Sequence, residues 1–287
     1  MQYLAPTSVD SAIAALTDAA GQARILAGGT DLLVQMKSDM IAPEVLVDIK
    51  RIPGLREIAR EAGGWRIGAA VSGAEFTEHA DLCADWPGLA EAFDLIGSTQ
   101  VQGRCTLAGN LCNASPAADS VPAMVAADAV ARIVGPKGTR DVPVAEIPVA
   151  PGKTSLAPGE FVTSIFLPAR APRAADAYLR FIPRTEMDIA VASAGISLTL
   201  DDDGRCVAAR VALGAVAPTV LLVEEAAAAL IGTKLEAAAL AALAQACESA
   251  ATPIDDKRGT VAFRKQVVGV LARRAAEIAK TRAEERA

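Results

Sequence analysis

Two runs of residues in this chain carry group types that can hydrogen-bond phosphates and sugars. The first, Ile25-Leu26-Ala27-Gly28-Gly29-Thr30-Asp31-Leu32, sets paired glycines where a predicted strand meets a predicted helix. Paired glycines permit positive φ and leave successive N–H groups unshielded, which makes a nest for phosphate oxygens at a helix start. The same residues also read as a tight turn with Thr30 or Asp31 as helix cap, and spacing leaves both readings open. Asp31 is compatible with a nearby diphosphate only if its carboxylate turns away to cap backbone amides. The second run spans Gly103 to Asp119. Thr106, Asn110, Asn113 and Ser115 offer hydroxyls and amides there, Gly109 offers bare backbone and Asp119 a carboxylate able to accept from sugar hydroxyls. A surface loop of turn residues would have the same composition.

Other chemistries lack their residues. His79 is the single histidine, and no G-x-S-x-G elbow is present, which argues against a Ser-His-Asp or Cys-His hydrolase. His79 reads as structural. The five cysteines, at 83, 105, 112, 206 and 247, form no C-x-x-C pair, and Cys105 and Cys112 read as small buried residues rather than metal ligands. Gly152-Lys153-Thr154 mimics a phosphate loop, but Ile147 stands where its first glycine belongs, so it reads as a turn. With so few groups suited to proton transfer, catalysis must come from a bound organic cofactor.

The elements that would position these runs follow from periodicity. Ser8 to Ala20 reads as a helix capped by Ser8, Arg24 to Ala27 as a strand, Leu32 to Asp39 as a helix and Val45 to Asp48 as a strand. Trp65 to Gly68 and Ala69 to Val71 look strand-like, and Ala74 to His79 and Gly88 to Leu95 helical. Gly97 to Ala118 reads as one long loop, too long for a simple connection. Strands return at Ala131 to Val134, Gly138 to Pro143 and Phe161 to Leu167, and Pro168 to Pro172 reads as a linker. Ala177 to Phe181, Ala190 to Leu200 and Cys206 to Leu213 then form a meander, turned at Asp201-Asp202-Asp203-Gly204. Leu222 to Leu230, Leu235 to Ser249 and Val261 to Arg282 close the chain as helices.

Bulk properties agree. A chain of 287 residues with 52% hydrophobic content can bury more than one core. Its net charge of −6 and scattered basic residues argue against a nucleic-acid partner. No apolar stretch reaches the length of a membrane span, and no export signal is visible at the start, so a cytoplasmic protein is expected.

Ala27-Gly28-Gly29-Thr30-Asp31, Thr106-Leu107-Ala108-Gly109-Asn110 and Ser115-Pro116-Ala117-Ala118-Asp119, in this order and spacing, resemble the medium flavoprotein subunit of the xanthine dehydrogenase and carbon monoxide dehydrogenase family. The likeness extends over nearly the whole chain, through Asp188-Ile189-Ala190 and the Phe263-Arg264 to Arg273-Arg274 helix. It implies an α+β protein. A vanillyl-alcohol-oxidase-type (PCMH-type) FAD-binding domain in two subdomains, 1–55 and 56–170, would precede a C-terminal domain, 174–287, of three antiparallel strands plus helices. Carried over by position, Ile25 to Leu32 would wrap the FAD diphosphate, and Thr106, Gly109 and Asn110 would form the second phosphate and ribityl loop. Ser115 joins this set, Asp119 would bind the adenosine ribose or nearby groups, and Ile96 would line the cofactor. Arg180 and Ile189 would approach the flavin from the second domain. Some relatives place Tyr where Ile189 stands, and an aliphatic residue cannot stack similarly.

The resemblance further implies an electron-transfer subunit with no metal of its own, partnered by a large molybdopterin subunit and a small 2Fe-2S subunit in a dimer of heterotrimers. The cysteine-rich insertion of benzoyl-CoA-reducing relatives is missing, so that variant is rejected. Two other classes compete: a stand-alone flavin oxidase of a small alcohol on the same fold, against which the two tyrosines argue, and a scaffold whose glycine loops are only turns. Gly29→Val is expected to give colourless but folded protein, and Asp119→Ala to weaken FAD with little loss of stability.

Overall fold

The computed structural model describes residues 1–185 and 187–286. It opens with β1 (Gln2–Leu4), α1 (Val9–Asp18), β2 (Ala23–Leu26), α2 (Leu32–Lys37) and β3 (Val45–Asp48). The strands form a parallel sheet in the order β1-β3-β2, with Ile25 opposite Val47 and Leu26 opposite Asp48. Ser8 caps α1 as expected, closing a capping box with Ser11.

The middle of the chain contributes β4 (Ile58–Glu61), β5 (Gly64–Gly68), α3 (Gly73–Thr77), α4 (Ala80–Asp85), α5 (Pro87–Asp94), α6 (Thr99–Gln102), α7 (Leu107–Cys112) and α8 (Ser120–Ala126). It continues with β6 (Val130–Gly135), β7 (Gly138–Pro143), β8 (Pro148–Ala150), β9 (Lys153–Thr154) and β10 (Phe161–Leu167). Five strands form an antiparallel sheet ordered β4-β5-β10-β6-β7, while β8 and β9 pair separately. Two expectations change here. Ala69 to Val71 is not strand, and the stretch read as one loop, Gly97 to Ala118, contains α6 and α7. Helix α8 carries no amphipathic signal because all seven of its residues are buried, so there is no polar face for a sequence pattern to show.

The last third holds β11 (Ala174–Phe181), β12 (Ala192–Leu200), β13 (Cys206–Gly214), β14 (Leu221–Leu222), α9 (Glu224–Ala228), α10 (Ala237–Ala250) and α11 (Val261–Glu285). The meander is as expected, but β14 adds a short fourth strand to the sheet, ordered β11-β12-β13-β14. Helix α11 is capped by Thr260, which accepts from Phe263 N, and it buries Ala272, Ala275, Ala276, Ala279 and Ala283. These small side chains let it lie close against the sheet and α10.

The third sheet is locked to the middle unit through the stretch expected to be a linker. Arg170 lies 3.6 Å from the Trp86 ring centroid and pairs with buried Asp176 at 2.7 Å. Arg282, near the end of α11, bonds Glu91 on α5 and the Asp176 carbonyl. Gly195 on β12 sits against the backbone of α8, where a Cβ would meet the Pro122 carbonyl at 2.8 Å. Among the described residues, no helix is long and apolar enough to cross a membrane.

Candidate functional site

The first loop begins where β2 leaves its sheet. Lys50 Nζ donates to the Ala27 carbonyl at 2.9 Å and pairs with Asp48 at 2.8 Å, while Tyr3 OH donates to the same carboxylate. The chain then turns sharply into α2. Of the paired glycines only Gly29 has positive φ, +81°, a backbone conformation that suits glycine. Gly28 is required for a different reason: a Cβ there would stand 1.9 Å from the Arg104 carbonyl oxygen. The first loop is therefore pressed backbone to backbone against the residue preceding Cys105 and Thr106.

Neither Thr30 nor Asp31 makes the expected helix cap. Asp31 has helical backbone, φ −92° and ψ −50°, and no side-chain capping bond, because the carboxylate reaches back to the amides only from an extended residue. The open amides suit a ligand, but the condition placed on Asp31 is not met: its carboxylate caps no amide and stays on the cleft lining, where burial raises its pKa. Among the described residues, the N–H groups of Gly28, Gly29, Thr30, Asp31 and Leu32 have no hydrogen-bond acceptor in the protein.

The second loop is organised by Thr106, which is buried and caps α7 by accepting from Gly109 N at 2.9 Å. A Cβ on Gly109 would come within 2.8 Å of that hydroxyl. Asn110 Oδ1 accepts from Ser120 Oγ at 2.7 Å and from Ser120 N at 3.3 Å, which orients its amide and leaves Nδ2 free to donate.

Between the loops lies a cleft of about 700 Å³. It brings together Ile25, Ala27, Gly28, Gly29, Thr30, Asp31, Leu32, Ile96, Thr106, Gly109 and Asn110, all named from the sequence. Leu26 lines a second, smaller pocket that shares Gly28, Gly29 and Thr30 with the cleft. The cleft also reaches a wall that sequence reading missed, from Gly152 and Thr154 through Pro158 and Gly159 to Phe161. The Pro158-Gly159 dipeptide was a visible turn signal, but nothing local ties it to residues more than a hundred positions earlier. Open N–H groups for a diphosphate, a glycine approach that a Cβ would fill, and apolar walls at Ile25, Ile96 and Leu156 fit a flavin dinucleotide.

Besides Leu26, four of the named residues lie outside the lining. Ser115 Oγ accepts from Ala117 N at 3.3 Å in a turn. Asp119 and Arg180 are brought together, but to each other, at 2.6 Å, with Tyr178 OH donating to the same carboxylate at 2.9 Å. Burial pushes the Asp119 carboxyl up to about 6 against the opposing pull of Arg180 and Tyr178. Arg180 Nε is buried without a partner among the described residues. Removing Asp119 would strand a guanidinium that is only 5% exposed, so the expectation that Asp119→Ala spares stability is corrected. Ile189 is 53% exposed.

His79 caps α4, its Nδ1 accepting from Leu82 N at 3.3 Å, with its ring edge-on to Trp65 at 4.9 Å. Burial pushes the Cys105 and Cys112 thiols up to about 12. No group of three or more His, Cys, Asp or Glu residues is placed to hold a metal ion among the described residues.

Comparison with known proteins follows the same division of the chain. The family model described as the FAD binding domain in molybdopterin dehydrogenase matches residues 1–170, and that of the CO dehydrogenase flavoprotein C-terminal domain matches 177–279. The chain is 35% identical to the carbon monoxide dehydrogenase medium chain of Afipia carboxidovorans, over 98% of this chain and 97% of that one. It is 29% identical to the xanthine dehydrogenase FAD-binding subunit of Escherichia coli O157:H7, over 88% and 87%. The solved structure of reconstituted CO dehydrogenase from Oligotropha carboxidovorans matches with a TM-score of 0.94 at 34% identity, covering 98% of both chains. With both family models matched in series and the fold shared end to end, the chain belongs to the family of FAD-binding medium subunits of molybdenum hydroxylases and is an oxidoreductase subunit.

Proposed function

We propose that this chain is the electron-transfer subunit of a heterotrimeric molybdenum-containing hydroxylase, receiving electrons from 2Fe-2S clusters in a small partner and delivering them to an external acceptor. Substrate would be oxidised on a large molybdopterin partner. The observation that carries the reading is the convergence of Gly28–Leu32 and Thr106–Asn110 on one cleft through the Gly28–Arg104 contact. FAD supplies the capacity to collect two electrons and release them.

The protein's own residues hold that cofactor in place. The N–H groups of Gly28 to Leu32 donate to the diphosphate, and Lys50 fixes the start of their turn through the Ala27 carbonyl. Asn110, oriented by Ser120, donates Nδ2 toward the phosphate and ribityl region. Ile25 and Ile96 cover apolar surface. Arg180, on β11, and Ile189, in the loop before β12, approach the flavin, and Asp119 and Ser115 serve the adenosine and ribityl end of the cofactor. Residues 1–55 and 56–170 act as the two halves of the FAD-binding unit, with 174–287 as the C-terminal domain.

Purification of the native complex tests this reading. Yellow protein whose FAD is released by denaturation, co-purifying with molybdenum and 2Fe-2S subunits, supports it. A lone yellow chain that oxidises a small alcohol without partners defeats it.

A further inference from the structure

Helices α2 and α7 begin at the two cofactor loops and are tied to each other twice. The first tie lies at their starts, where the Gly28 backbone rests on the Arg104 carbonyl with no room for a Cβ. The second lies further along both helices. Gln35, on α2, donates from Nε2 to Oδ1 of Asn113, the C-cap of α7, at 2.9 Å. Both residues line the cleft, and their bond joins chain segments 78 positions apart.

The two ties differ in how they can open. The first is backbone against backbone, and it is anchored by Gly73 N donating to the Cys105 carbonyl at 2.9 Å and Cys105 N to the Val101 carbonyl at 2.8 Å. Parting it would move whole loops. The second is one neutral hydrogen bond between half-buried side chains, and neither amide has another side-chain partner among the described residues. Rotation about side-chain bonds breaks it without displacing either helix, on a timescale far shorter than loop rearrangement.

We propose that the Gln35–Asn113 hydrogen bond is the clasp of the cleft, opening to let the dinucleotide cofactor enter or leave and thereby setting the rate of cofactor exchange. Gln35 and Asn113 are positioning residues in this role. The inference rests on FAD occupying the cleft.

The test measures both directions of exchange on the native complex. Release is followed by the fluorescence of free FAD after dilution, and uptake by its quenching on addition to deflavinated protein. Gln35→Met keeps the side-chain length without the amide, Asn113→Ala removes the acceptor from the other wall, and the double variant combines them. Each single variant is expected to speed release and uptake alike by about five- to tenfold, the range one neutral hydrogen bond supplies, with Kd within about twofold. The double variant should be no faster than either single one. Faster release with unchanged uptake would make the two residues direct cofactor ligands and overturn the clasp, and so would unchanged rates in both variants. Wild-type protein that takes up no FAD would instead overturn the occupancy of the cleft itself.

Discussion

Gly28 and Arg104 meet backbone to backbone: a Cβ on Gly28 would stand 1.9 Å from the Arg104 carbonyl oxygen, whereas the nearest atoms to one on Gly29 belong to the side chains of Leu26 and Leu33. The two neighbouring glycines are therefore not equivalent. Gly28→Ala should force the cofactor loops apart and give folded, colourless protein. Gly29→Ala should cost about 1–2 kcal/mol from its positive φ and keep most of its flavin. The ratio of visible to ultraviolet absorbance, with circular dichroism as the folding control, checks the order; equal flavin loss in both would contradict it.

Asp119 predicts a specific pH signature. Its folded-state value, about 6, lies above the ordinary 3.8, because burial outweighs the pull of Arg180 and Tyr178. The folded state therefore holds its proton more tightly than the unfolded state. That contribution to stability is fully present below about pH 4 and is lost as pH rises through about 6. Comparing wild type with Asp119→Asn by denaturant unfolding, the difference in stability should change by about 1–3 kcal/mol across this window and be flat above pH 7. A difference that is constant from pH 4 to pH 7 would remove Asp119 as the titrating group.

Arg170 and Asp176 form the buried pair at the seam between the second and third sheets, 2.7 Å apart. Arg170→Met should leave the Asp176 charge uncompensated and cost about 3–5 kcal/mol. The drop in Tm should be on the order of 5–10 °C. Adding Asp176→Leu should recover much of it, since an apolar pair carries no stranded charge. Calorimetry showing no recovery in the double variant would argue that the pair is needed for geometry rather than charge balance.

The cysteines predict chemical inertness. Burial pushes Cys105, Cys112 and Cys247 up to about 12 and Cys206 up to about 11, so their thiolate fractions at neutral pH are very small. At these four positions native protein should react slowly with a thiol reagent at pH 7.5 and rapidly in denaturant, as read by peptide mapping that separates them from half-buried Cys83. Fast native modification of Cys105 or Cys112 would show that the cleft wall opens.

The sequence by itself determined the local elements and singled out the two glycine-bearing loops that line the cleft. The Ser8 cap, the Val45–Asp48 strand and the turn at Asp201–Gly204 depend on neighbours within a few positions, and periodicity displays such neighbours directly. Gly28-Gly29 and Thr106 to Asn110 were legible for the same reason. Contacts across sequence distance were settled only by tertiary structure. Gly28 against Arg104, Asp119 against Arg180, Gln35 against Asn113 and the wall from Gly152 to Phe161 each join segments whose composition gives no sign of the other. Helix α8 was invisible because burial on every side erased the polar face that marks a helix, and Asp31 failed to cap because packing had already set its backbone helical.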